Sequence, residues 1–276
     1  MSSKNVSSKK VEQSLRNLRY NPFITLFWKE IRRYMKVSVQ TVVTPAINSA
    51  LYLIIFGVSL GASIDTGYDV PYLAFLISGL VMMGCLNNSF QNTASSIVSG
   101  KFSGDLEDLK VVPLGTQQIV WAMSLGGITR GLMVSVVNLG VGQAFYYSYY
   151  NEFFAINSPG LLMFFLVVGS LVYAKLGMFV AFLSKSFDQM SAVTAFILQP
   201  LSFLGGVFFS LNNLSPFWQK VSLYNPVLYF INGVRLSTIG KADVSLQSAV
   251  VVSLISLVLS HLLVLFVLRR SQFKRW

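Results

Sequence analysis

Apolar residues fall in six long runs separated by short polar or charged stretches, at 37–60, 71–99, 118–147, 159–183, 190–210 and 246–268. Each run is close to or above the roughly 20 residues that a helix needs to cross a bilayer. A further apolar stretch, 214–240, is interrupted by Asn225-Pro226 and carries Lys220, Arg235 and two glycines. Proline removes a backbone donor and neither half is long enough to cross, so the pattern predicts two short helices that dip into the membrane and return. Irregular backbone at that depth survives only against protein or water. The expected fold is an all-α polytopic membrane protein. Residues 1–36 form a cytoplasmic tail with an amphipathic interfacial helix, and 37–276 form one six-helix transmembrane domain.

Composition supports the bilayer as main solvent. Of 276 residues, 54% are hydrophobic and only 11% charged, where soluble domains carry about a quarter charged residues. A formal net charge of +11 raises nucleic acid as a partner, but the cations gather toward the chain ends rather than forming a stripe on a folded domain, so no nucleic acid is expected. The single cysteine, Cys85, lies in an apolar run and excludes an intrachain disulfide or a cysteine-based zinc site. The first apolar run starts too late and runs too long for a cleavable signal peptide.

With six crossings, one side holds 1–36, 100–117, 184–189 and 269–276, which together carry sixteen of the twenty-one Lys and Arg. Cytoplasmic segments retain positive charge, so both termini are expected inside. A seventh crossing within 214–240 would turn Arg269, Arg270, Lys274 and Arg275 outward, against that rule.

Several features carry candidate chemistry. In 22–36, Phe23, Phe27, Ile31 and Tyr34 share one helical face and Lys29, Arg32, Arg33 and Lys36 another, with Trp28 near the interface and Pro22 in the first turn. Such a helix lies in the headgroup boundary with its cations on anionic lipid, as an anchor or as part of a gate. The loop from Gly100 to Pro113 places Asp105, Glu107 and Asp108 beside Leu106 and Leu109. A short helix with acidic and apolar faces suits docking of a protein partner, and without a nearby histidine, metal motif or nucleophile it does not suit catalysis. Thr41, Thr44 and Asn48 lie at helical spacing in the first span, and Asn88, Gln91, Asn92 and Ser95 give the second a hydrophilic face. Polar side chains at this depth face protein or a hydrated path.

Arg130 is the most costly charge within a span, open to a structural ion pair, a snorkelled position or a substrate contact. Lys175 is expected to snorkel toward the cytoplasm, and His261 to make a helix contact. Gly126, Gly127 and Gly131 in the third span and Gly205 and Gly206 in the fifth permit close helix packing. Gly100-Lys101 is followed by Phe102 and Gly240-Lys241 by Ala242, so no phosphate-binding loop is present and ATP is not bound that way. The motifs of zinc hydrolases and serine esterases are also absent.

Local sequence adds a resemblance. Lys101-Phe102 leads through Asp105-Leu106-Glu107-Asp108-Leu109 to Val112-Pro113. Thr129-Arg130-Gly131, Lys185-Ser186-Phe187-Asp188 and Gln199-Pro200 follow. Leu204-Gly205-Gly206-Val207-Phe208-Phe209-Ser210, Ser215-Pro216-Phe217-Trp218 and Asn225-Pro226 complete the set. Over about 28–270 the chain resembles the ABC-2 type permeases of bacterial ATP-binding-cassette exporters, and looks most similar to their YadH-like branch. Lys110 after the acidic cluster and Lys175 in the fourth span depart from the family pattern.

The resemblance implies a permease of the bacterial inner membrane, without an ATP site of its own, that pairs with a second copy of itself. Two copies of a separate cytoplasmic ATPase would bind ATP and Mg. It implies that Asp105, Leu106, Glu107, Asp108 and Leu109 form the coupling helix in the ATPase cleft, which the interfacial helix, with Phe27, Trp28, Ile31, Arg32 and Arg33, also touches. Spans one, two and five would line the path, making Thr44, Asn48, Asn88, Gln91, Asn92 and Gln199 candidate lining residues. The implied cargo is an amphipath: a lipid, glycolipid, lipid-linked glycan or drug. The alternative, an ion- or proton-coupled secondary transporter, needs membrane-buried carboxylates or an inverted repeat.

Overall fold

The computed structural model describes residues 21–61, 64, 67–108 and 113–270, without the side chains of Glu107 and Asp108. All regular structure among them is helical. Helix α1 spans Pro22–Met35, and α2 spans Ser38–Tyr52 and continues as a π-helix, Leu53–Ser59. Next come α3 (Tyr72–Ser103), the one-turn α4 (Asp105–Asp108), α5 (Thr116–Tyr150) and α6 (Pro159–Leu183). Helix α7 (Phe187–Val193) runs through a π-helical turn, Thr194–Leu198, into α8 (Gln199–Leu204). The chain ends with α9 (Pro216–Leu223), α10 (Pro226–Ile239) and α11 (Leu246–Arg270).

Five of these helical segments are long and apolar enough to cross a membrane: Ser38–Ser59, α3, α5, α6 and α11. The protein is a multi-pass membrane protein. The fifth expected span, 190–210, is shorter than its apolar run. Its helical segment stops at Leu204 because the chain turns at Gly205 and Gly206, the latter at φ 85°. The stretch 214–240 forms α9 and α10, parted at Asn225, whose side chain accepts from the Val227 amide as a cap while Pro226 fills the first helical position.

Helix α3 is the central rod. In its most apolar stretch 78% of residues are buried, against 17% for the first span and 22% for α11, which places those two at the periphery. Helices α5, α6 and α10 pack around α3. Polar side chains cross between them: Thr93 donates to the Ala174 carbonyl at 2.6 Å, Asn138 to that of Leu80 at 3.1 Å, and Cys85 meets Ser170 at 2.9 Å. In hydrocarbon, where tails offer no partner, such bonds hold helices that apolar burial alone would not select.

Two clamps close the rod's ends. At its C-terminal end the buried Lys101 ammonium donates to the carbonyls of Ala181, Phe182 and Ser184 at 2.8–2.9 Å, satisfying the last turn of α6. At the other end Arg235 of α10 lies 3.5 Å from Asp243 with both side chains fully buried. Arg235 also donates to the Gly206 carbonyl at 2.6 Å and covers the Phe75 ring at 3.5 Å. Asp243 accepts from Ser210 and from the Tyr68 hydroxyl. Burial, followed by this carboxylate, lifts the Tyr68 phenol to about 12, so it stays a donor at neutral pH.

The Arg235–Asp243 clamp generates a prediction. Asp243→Asn leaves a buried guanidinium unpaired and should cost about 3–5 kcal/mol, whereas Arg235→Met with Asp243→Asn removes both charges and should cost less. Thermal unfolding in detergent checks this: the single variant melts lower than the double, and the reverse order contradicts the clamp.

Candidate functional site

A cleft of about 430 Å³ opens between α2, α3, α5 and the π-helical turn after α7. Helix α2 supplies Gln40, Thr41, Thr44 and Asn48, of which Thr41, Thr44 and Asn48 follow at gaps of three and four on one face. Its neighbouring face exposes Val39, Val43, Ile47 and Leu51. Pro45, inside α2, also lines the cleft and lacks the amide that would bond the Thr41 carbonyl one turn back. From α3 come Asn87, Asn88, Gln91 and Ser95, and from α5 Arg130 and Asn138. The π turn brings Thr194 and Gln199, where the Gln199 amide reaches back to the Thr194 carbonyl ahead of Pro200.

Of the path residues expected from sequence, Thr44, Asn48, Asn88, Gln91 and Gln199 therefore come together in one cleft. Asn92 does not join them. One residue past Gln91, it is rotated about 100° around the helix, fully buried, and its side-chain and backbone oxygens accept from Arg33 at 3.0 and 2.5 Å.

Helix α1 differs from the interfacial reading in which face it buries. Asn21 caps it, its side chain accepting from the Phe23 amide at 3.1 Å. Leu26, Glu30 and Tyr34 are its buried residues, and α5 is its main neighbour. Phe27 and Ile31 are half-buried, and Trp28 and Arg32 are exposed. Arg33 is turned inward, not displayed with the lipid-facing cations: it donates to Ser95 and Asn92 and pairs with Glu30 at 3.3 Å. Glu30 also accepts from Ser96 at 2.6 Å, and its Cβ lies where a side chain on Gly126 would stand. Sequence reading missed Glu30 as a structural residue; its place three before Arg33 was the available signal.

The remaining candidates are distributed around the rod. Helix α4 follows Gly104, which takes φ 85° to turn the chain out of α3. Leu106 is buried near Gly100 and Asp105 is exposed. The backbones of Glu107 and Asp108 complete the turn, and Leu109 lies outside the described residues. Lys175 does not snorkel: it is fully buried, its ammonium 4.4 Å from the Trp121 ring centroid, because its helical face points into the bundle. His261 makes the helix contact expected, at 3.2 Å from Gln117 and beside Trp121. Among the described residues no group of His, Cys, Asp and Glu is arranged to hold a metal.

The family model for the ABC-2 type transporter matches residues 21–239, most of the chain and all of the elements that build the cleft. The chain belongs to the ABC-2 type transporter family. This permease is 35% identical over 248 residues to the inner membrane transport permease YadH of Escherichia coli K12, covering 90% of this chain and 94% of that one. It is 22% identical over 247 residues to nodulation protein J of Rhizobium leguminosarum bv. viciae, covering 89% and 90%. A transport permease is thus the general role.

Glu30 gives the test of how α1 is held. Glu30→Ala removes the Arg33 partner and the Ser96 bond, and should lower the local stability of α1 by about 3 kcal/mol, roughly a hundredfold in amide exchange. Hydrogen exchange over 22–35 measures it, with exposed Glu152→Ala as control. Unchanged protection contradicts the assignment.

Proposed function

We propose that this permease is the membrane subunit of an ATP-driven exporter that moves an amphipathic substrate outward, acting as a pair of copies above two copies of a separate ATPase. ATP and Mg belong to that ATPase. The segment Phe187–Leu204 serves as the fifth of six crossings, α9 and α10 re-enter the outer leaflet, and both termini face the cytoplasm of a bacterial inner membrane.

The observation that carries this reading is the placement of α4. The one-turn acidic helix hangs from the end of the central rod, seated by Leu106, immediately beyond the Lys101 clamp that ties α3 to α6. A push on Asp105, Glu107, Asp108 and Leu109 is delivered to both helices together. A partner shifts such an equilibrium only through different contacts in its two states, so nucleotide-dependent gripping of α4 is what drives the rod. The cleft beside α3, lined by Thr44, Asn48, Asn88, Gln91 and Gln199, is the substrate path.

Secondary transport fits less well. It calls for a buried carboxylate free to load and unload an ion, and among the described residues the two buried ones, Glu30 and Asp243, are each held by an arginine.

Co-purification from membranes with a cytoplasmic ATPase tests the assembly. Asp105→Asn, Glu107→Gln and Asp108→Asn together should lower the ATPase activity of the assembled complex roughly tenfold. Undiminished activity, or a chain that never retains an ATPase, contradicts the proposal.

A further inference from the structure

The cleft is charged at one end. Among its lining residues are two arginines and no Asp or Glu. Arg33 is fixed there by Ser95, Asn92 and Glu30, and its Nε has no partner. Arg130 enters from α5. Its neighbour Thr129 meets Tyr34, the neighbour of Arg33, at 3.2 Å, which brings the two arginines to the same end. Arg130 forms no ion pair among the described residues, and its buried Nε has no hydrogen-bond partner. The rest of the lining is amide, hydroxyl and a few apolar groups.

An uncompensated guanidinium within a span is costly, and an anion in reach of its fork removes most of that cost. Guanidinium is also the side chain best matched to phosphate oxygens, through paired charge-assisted bonds. We propose that the Arg33 and Arg130 end of the cleft binds a phosphate-type anion, the headgroup charge of the transported amphipath, with Asn88 and Gln91 contacting the polar groups beside it. A volume of about 430 Å³ holds a headgroup and not its acyl chains. Those chains lie along the exposed Val39, Val43, Ile47 and Leu51 face of α2. A cationic amphipath meets Arg130, which has no ion pair among the described residues, beside Arg33, whose charge Glu30 already offsets. This inference rests on the reading of the cleft as the substrate path and adds the sign of the cargo's charge.

The test uses the full chain in phosphatidylcholine nanodiscs with short-chain fluorescent probes: phosphatidylglycerol, phosphatidylcholine and the cationic ethyl-phosphatidylcholine. The wild type should bind phosphatidylglycerol about tenfold more tightly than phosphatidylcholine, the size of one charge-assisted contact, with the cationic probe weakest. Arg130→Gln should weaken phosphatidylglycerol more than phosphatidylcholine and so erase the preference, with thermal unfolding in detergent unchanged to separate this from a folding defect, and Arg130→Lys should keep part of it. Displacement of phosphatidylglycerol by millimolar inorganic phosphate shows that the site takes the free anion. Resistance to phosphate, with the preference intact, shows that it takes the anion only as a lipid headgroup. Equal binding of the three probes by the wild type, or an Arg130→Gln preference equal to wild type, overturns the proposal. Asn48→Trp, which fills the cleft, separates the two readings. If it blocks all probes without any charge preference in the wild type, only the anion site falls; if it blocks none, the path reading falls with it.

Discussion

Hydrocarbon offers a polar side chain no partner, so each one placed at membrane depth must be matched within the protein or turned toward water. Helix α3 shows how this permease meets the constraint. Thr93 and Asn92 face inward, to the Ala174 carbonyl and to Arg33. Asn88, Gln91 and Ser95, on the adjoining face, open onto the cleft. One helix therefore both holds the bundle together through hydrogen bonds and supplies a wall of the polar path. The rotational setting of α3 decides which residues do which, and the clamps at its two ends fix that setting.

The clamps solve the same electrostatic problem in different ways. Lys101 donates to three carbonyls at the end of α6, where a helix runs out of intrahelical donors, so a buried cation is met by backbone oxygens. Arg235 and Asp243 form a buried ion pair that ties α10 to the loops bearing Tyr68 and Ser210. Separating the partners of such a pair strands a buried charge, so the pair disfavours any arrangement that parts them. Here the specified arrangement is the packing of the broken α9 and α10 segment against the rod.

Much of the fold was legible in the sequence because lipid makes run length decisive. The expected spans at 71–99, 118–147, 159–183 and 246–268 fall within a few residues of α3, α5, α6 and α11, and the break at Asn225-Pro226 follows from proline chemistry. The fifth run misled because apolar content continues through Val207, Phe208 and Phe209 while glycines at 205 and 206 end the helical segment. The cleft was legible where polar residues recur at helical spacing, as in Thr44 with Asn48 and Asn88 with Gln91. Asn92 was misplaced because a period of three or four admits two adjacent faces. The inward turn of Arg33 and the pairing of Arg235 with Asp243 were not legible, since a cation's partner across a fold leaves no local pattern.

The Thr44, Asn48, Asn88, Gln91 and Gln199 face is wet on this reading, while the neighbouring face of α2 meets lipid. Cys85 is the only cysteine and is buried, so a Cys85→Ala background permits single-cysteine accessibility in membrane vesicles. Cysteines placed at 48, 88, 91 and 199 should react with a small water-soluble thiosulfonate, and cysteines at 43, 47 and 258 should not. Equal reactivity on both faces, or protection of the cleft positions with reaction at 43 and 47, would contradict it.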